Sequence, residues 1–184
     1  TDQKSLVKFA IAVIFGFAFS ISVILSTIGI MDGFEKSLKQ GLNRSNGDIT
    51  IGSRNGFFTF DENVKELLTR NHFTKFSQVV QSESFLVSNE DSKGVLVKGI
   101  DELYGEVVGL NLALNTNEII LGIEIANQLK LKIGDQVTLA FAKGNQGVKG
   151  MPGLFRYTVK DFVNHGVYQK DSRLVYLNIN EVQK

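Results

Sequence analysis

The sequence predicts an α+β protein in which one N-terminal transmembrane helix extends into a mixed α/β domain. Three observations predict it. No charged residue occurs between Lys8 and Asp32, and the 23 residues from Phe9 to Met31 would reach roughly 34 Å as a helix, enough to cross a bilayer core. Past that stretch, Ile30, Phe34, Leu38 and Leu42 keep a four-residue apolar row while Asp32, Glu35, Lys36 and Lys39 lie off it, so the helix should continue out of the membrane as a stalk. Beyond the stalk, short strand-like and helix-like runs mix without strict βαβ alternation. The expected division is residues 1–46 for the span and its stalk, and 47–184 for an outer domain.

Composition narrows the function classes. Of the 184 residues, about 140 remain outside the membrane segment, enough to bury a core at roughly 70% of the unfolded surface. The net charge is +1 and no Arg/Lys cluster is interleaved with aromatics, which argues against nucleic acid as a partner. Cysteine is absent, so disulfides and thiolate metal sites are excluded. One proline and 18 glycines fit regular elements joined by glycine turns. A mean hydropathy of +0.03 averages one very apolar segment with a polar remainder.

In chain order, Thr1 to Lys8 is a short polar lead. The apolar run is longer than a secretory signal and ends in STIGIMDG, which has no small-x-small cleavage site, so a retained span is expected. The cations flanking it, Lys4 and Lys8 against Lys36, Lys39 and Arg44, do not fix its orientation. Within the span, Ala12, Gly16 and Ser20 recur every four residues, as do Ala18, Ser22 and Ser26. Small residues let other helices approach closely in lipid, and hydroxyls there prefer an internal partner. A helix packed within a multi-helix assembly is therefore favoured over a lone anchor. The stalk should end near Gly41 or Asn43.

Gly47 to Ile51 reads as an alternating strand, followed by a turn at Ser53-Arg54-Asn55-Gly56. Asp61 is placed to cap a helix through Asn71, with Val64, Leu67 and Leu68 facing the core. Phe57, Phe58 and Phe60 read as core, with a lipid- or partner-facing surface as the alternative. Val79 to Val87 and Val95 to Ile100 read as strands around a polar turn. Glu118 to Leu121 is a strand, Glu124 to Lys130 a short helix, and Val137 to Phe141 and Tyr157 to Val163 are strands flanking a glycine-rich loop. Leu174 to Leu177 is a last strand, and Asn180-Glu181 opens a helix.

The catalytic inventory is poor. His72 and His165 are the only histidines, and both read as polar surface or turn residues. No HExxH, phosphate loop or GxSxG elbow occurs. Pairs such as Asp101/Glu102 and Glu90/Asp91 sit in turn-like segments. Neither an enzyme nor a bound cofactor or metal is expected.

Two stretches carry a family likeness. SISVILSTIGIMDGFEKSLKQGL followed by GDITI resembles the first transmembrane helix of lipoprotein-releasing ABC transporter permeases of the LolC/LolE type, with Met31, Asp32, Gly33, Phe34 and Glu35 at the helix exit. Gly94 to Glu102, then EIILGIEIANQLKLKIGDQVTL, is similar to the same family's pattern of strand, glycine, short helix, Leu-x-x-Gly-Asp turn and strand. Gly122, Ala126, Leu129, Leu131, Gly134, Asp135 and Val137 carry that match. Gly122 is expected to allow a tight strand-to-helix turn, and Gly134-Asp135 to form a hairpin-type turn. Where the family usually has proline after Gly-Ile-Asp, this chain has Glu102. The wider group is that of MacB-like and FtsX-like permeases.

The resemblance implies an inner-membrane permease subunit with a MacB-like periplasmic core domain at 47–184. Family members have several membrane helices, so the chain reads as part of a longer permease. ATP would be bound by a cytoplasmic ABC ATPase, and a second permease subunit would complete a homo- or heterodimer. Lipoprotein substrate would enter between the first helices of the two permease subunits, with Ala12, Gly16, Ser20, Ser22 and Ser26 serving transmembrane packing or the substrate entrance and Phe34, Leu38 and Leu42 as the stalk. It would leave on a periplasmic lipoprotein carrier. The loop from Ala142 to Arg156 stands where these proteins carry a carrier-binding hairpin, and Lys149, Met151, Pro152, Leu154, Phe155 and Arg156 combine cations with an apolar tip. A plain connection between strands is the alternative for that loop. For the whole chain, the alternatives are an efflux or mechanotransmission relative and a single-span anchored interaction domain.

Overall fold

The computed structural model describes residues 2–53, 59–88, 91–141 and 153–183. It begins with one unbroken helix, α1 (Asp2–Asn46). Compact units divide between Gln40 and Gly41, so the last residues of α1 are grouped with the globular part. The helix runs a few residues past its expected end. It stops where Gly47 takes a positive φ of 73° and donates its N–H to the Asn43 carbonyl at 2.8 Å, the usual left-handed glycine ending. The strand expected at Gly47–Ile51 does not form. Gly47 is spent on the helix end, Thr50 Oγ1 donates to the Asn46 carbonyl at 3.3 Å, and Ile49 and Ile51 lie exposed.

The globular unit continues with α2 (Glu62–Arg70), β1 (Val79–Val87), β2 (Ser92–Ile100), α3 (Tyr104–Val108), β3 (Glu118–Gly122), α4 (Ile123–Leu129), β4 (Gln136–Phe141), β5 (Gly153–Val163), α5 (Tyr168–Asp171), β6 (Leu174–Asn178) and α6 (Ile179–Val182). Asp61 caps α2 as expected, its carboxylate accepting the Val64 N–H at 3.0 Å. Of the three α2 residues assigned to the core, Leu68 is buried and Val64 partly so, but Leu67 points outward at 63% exposure. Nine residues make too short a helix to bury a wide stripe. Phe60 packs its ring on Phe76 at 5.9 Å; Phe57 and Phe58 lie outside the described residues.

The six strands close into a barrel in the order β1-β2-β6-β3-β5-β4. Antiparallel pairs dominate, but β2 runs parallel to β6 and β3 parallel to β5. Every strand sends alternate residues inward. Leu86, Val97, Leu121, Leu139, Val159 and Val175 meet there with Tyr157, and α4 adds Ile125 and Leu129.

A second apolar layer forms on the outer face of β2, β3 and β6. Ile100, Ile120, Leu174 and Tyr176 pack there with Tyr104 and Val108 of α3. This explains why EIIL and LVYL read as continuous apolar runs: these central strands are covered on both faces. The Leu-x-x-Gly-Asp motif is a turn between α4 and β4. Gly134 has φ 94°, and Asp135 Oδ2 accepts the Lys132 N–H at 2.8 Å.

Candidate functional site

The residues singled out in the sequence fall in three places. Ala12, Gly16, Ser20, Ser22 and Ser26 are all exposed on α1. Four-residue spacing aligns Ala12, Gly16 and Ser20 in one row and Ser22 with Ser26 in another. A Cβ placed on Gly16, Gly29 or Gly33 would meet nothing within 4 Å, so these positions are open to another helix. Thr27, beside them, satisfies its hydroxyl within α1 by donating to the Val23 carbonyl at 2.8 Å. Phe34, Leu38 and Leu42 continue the row on the same unbroken helix, at 57%, 36% and 47% exposure. Among the described residues, one helix is long and apolar enough to cross a membrane, spanning Gln3–Arg44, and none of its most apolar window is buried.

The third place is the β4–β5 ladder. Leu154, Phe155 and Arg156, expected in a loop, are strand residues paired with Ala140, Leu139 and Thr138. Phe155 packs edge-on against Phe141 at 6.0 Å, and Leu154 is exposed. Lys149, Met151 and Pro152 lie outside the described residues.

Sequence reasoning missed a buried polar chain in the outer apolar layer. His165, read as a surface residue, is 2% exposed. Its Nδ1 lies 2.6 Å from Asp171 Oδ1, and the same oxygen accepts the His165 backbone N–H at 2.9 Å. A carboxylate only accepts, so Nδ1 carries the hydrogen and Nε2 is the acceptor of a neutral ring. Tyr176 Oη, 2.7 Å from Nε2, is therefore the donor. A hydrogen bond joins the hydroxyls of Tyr176 and Tyr104. Tyr104 Oη in turn accepts from Lys98 Nζ at 2.8 Å. Lys98 also donates to Oδ1 of Asn46, the last residue of α1, at 3.0 Å.

The result is a hydrogen-bonded chain from an ammonium at Lys98 to a carboxylate at Asp171, with three neutral groups between. Burial holds the Lys98 ammonium below its ordinary value, at about 8, and pushes the Tyr104 hydroxyl up to about 12. Burial also lowers His165, against the opposing pull of Asp171. Lys98 was the available signal: a charge amid the apolar VLVKGI of β2, on a strand covered on both faces. His165 gave none, because only the fold brings it to Tyr176. Among the described residues no three metal-capable side chains converge, and His165 and Asp171 are committed to each other.

The lowered His165 sets a pH dependence. Between its ordinary value of 6.5 and its lower folded value, the unfolded chain binds a proton that the folded chain does not. Stability from this group is therefore complete above about pH 6.5 and declines as the pH falls toward the folded value. Urea unfolding followed by tyrosine fluorescence should show this decline, and His165→Gln should flatten it. An identical slope in the variant would exclude His165 as the source.

These features define a class of protein: a long apolar helix running unbroken into a small mixed barrel that holds the helix end by a buried polar chain. The model of the MacB-like periplasmic core domain matches residues 10–184, and the chain belongs to that family. It is similar to the lipoprotein-releasing system transmembrane protein LolC of Neisseria meningitidis, with 26% identity over 91% of this chain and 44% of that protein. LolC of Xylella fastidiosa is 23% identical over 95% of this chain and 45% of its own length. The chain thus spans less than half the length of these relatives. Among solved structures, the extracellular domain of the noncanonic ABC-type transporter YknZ from Gram-positive bacteria aligns with a TM-score of 0.47 at 16% identity, covering 72% of each chain.

Proposed function

We propose that the chain serves in a permease subunit of an ABC transporter that moves outer-membrane-directed lipoproteins from the inner membrane to a periplasmic carrier. The observation that carries this reading is the extent of the likeness to the LolC proteins, which takes in 91% and 95% of the chain. In this reading α1 spans the inner membrane and the barrel stands in the periplasm. A separate cytoplasmic ATPase binds and hydrolyses ATP; this chain is not an enzyme and holds no cofactor. A second permease subunit packs on the small-residue rows, where Ala12, Gly16, Ser20, Ser22 and Ser26 border the substrate entrance. The segment joining β4 and β5, which includes Lys149, Met151 and Pro152 in sequence, receives the carrier together with Leu154, Phe155 and Arg156 of β5.

Expression of the complete gene with an affinity tag should co-purify an ABC ATPase and a second permease subunit. Recovery of the protein without any ATPase would refute the proposal. Gly16→Leu should lower recovery of the second subunit several-fold, because a bulky side chain separates helices that pack through small residues. Unchanged recovery would take Gly16 out of that interface.

The family's MacB-like description favours one second reading, an efflux or mechanotransmission permease that moves no lipoprotein. Photo-crosslinking from Phe155 separates the two. Capture of a soluble lipoprotein carrier supports lipoprotein release, and capture of a different periplasmic partner supports the alternative.

A further inference from the structure

The buried polar chain and the loop that carries His165 each meet α1 once. At one end Lys98 holds Asn46. The loop that carries His165 lies against Gly41, where an added Cβ would stand 2.3 Å from Val167 Cγ2 and 3.0 Å from the His165 carbonyl oxygen. The two contacts are five residues apart, so together they bracket the final turn of the helix.

Tyr176 Oη can donate to the His165 ring only while that ring is neutral. Nδ1 already holds a hydrogen, so an added proton goes to Nε2. Tyr176 Oη must then accept from the ring instead of donating to it, and its own hydrogen turns toward Tyr104. Tyr104 Oη can accept from both Tyr176 and Lys98, so the larger disturbance is one of charge. Two cations, the imidazolium and the Lys98 ammonium, would share a compartment that holds Asp171 as its carboxylate, with Lys170 of α5 adding a third positive charge nearby. The groups facing the ring are Asp171 and Lys170 from α5, Tyr176 from β6 and Lys98 from β2, with Tyr104 of α3 behind Tyr176. Apart from Asp171, each is a cation or a hydroxyl.

We propose that this chain is an acid-sensitive latch on the last turn of α1, closed while His165 is neutral and opened when Nε2 takes a proton. The latch is a property of this chain alone and does not depend on what is transported. It gives the barrel a way to tighten or free the segment through which the helix enters it. Loss of a hydrogen bond to a charged group is enough to change local opening about tenfold or more.

The test is hydrogen exchange at the amides of residues 42–46, in the full chain in detergent micelles, from about pH 7.5 to about pH 4.5. After correction for the intrinsic pH dependence of exchange, protection should fall about tenfold in the acid range. Asn46→Ala, at an exposed position, leaves the barrel intact and should give the low protection at every pH. His165→Gln, which takes no proton, should keep its protection constant across the range. Protection in the wild type that does not change with pH would overturn the proposal. So would an acid loss that persists undiminished in Asn46→Ala, which folds whether or not His165→Gln does.

Discussion

Gly122→Ala is expected to destabilise the barrel by about 2–3 kcal/mol, lowering its melting temperature by roughly 5–10 °C. A Cβ at this position would lie 2.2 Å from the Asp171 carbonyl oxygen and within 2.9 Å of that residue's carbonyl carbon and Cα. All three atoms are backbone, so no rotamer change relieves the contact; α5 must shift as a whole. The reason for glycine here differs from the one the sequence offers. Gly122 has φ −59° and ψ 138°, a conformation open to any residue. What excludes a side chain is the close approach of α5, not the turn. Thermal unfolding read through tyrosine fluorescence suits the test, because the chain has no Trp and three tyrosines are buried, Tyr157 inside the barrel and Tyr104 and Tyr176 in the layer on its outer face. A melting temperature within a degree or two of wild type would show that α5 yields easily.

Asp171→Ala should cost about 3 kcal/mol or more, because a buried pair is broken and its partners are left unpaired. Two donors, the His165 backbone N–H and Nδ1–H, lose their shared acceptor. The Lys98 ammonium also loses the carboxylate that balances it across the chain. Asp171→Asn keeps an oxygen for one donor and should cost less than the alanine variant. Equal losses for the two would mean that packing, not hydrogen bonding, fixes this position. Because the Asp171 backbone is what Gly122 abuts, Gly122→Ala and Asp171→Ala share one local structure. Their effects should combine to less than their sum when measured as a double-mutant cycle.

Much of the fold was legible because local pattern and burial agree. Alternation along β1 and β4 reflects one face turned to the barrel interior, and the continuous run of β3 reflects burial on both faces. Asp61 announced α2 because a carboxylate before a helical run satisfies an orphan N–H. The short helices α3 and α5 went unread, since five and four residues carry too little periodicity to register. The strand misread at Gly47–Ile51 has the right alternation but no neighbour to pair with among the described residues. Alternation signals a strand only where a partner edge exists.

The candidate site divides the same way. The small-residue rows on α1 are a matter of spacing along one helix, so the sequence displays them whole. The polar chain draws on Asn46, Lys98, Tyr104, His165, Asp171 and Tyr176, whose separations follow no period. By itself the sequence determined an apolar helix long enough to span a bilayer and continuous with its stalk, together with the identity of most strands, because each depends on residues a few positions apart. Barrel closure, the layer covering β2, β3 and β6, and the grip on the end of α1 were decided by tertiary structure alone. The parallel pairing of β2 with β6 joins strands far apart in the chain and sets Lys98 beside Tyr176, and only the folded chain brings His165 to the Tyr176 hydroxyl.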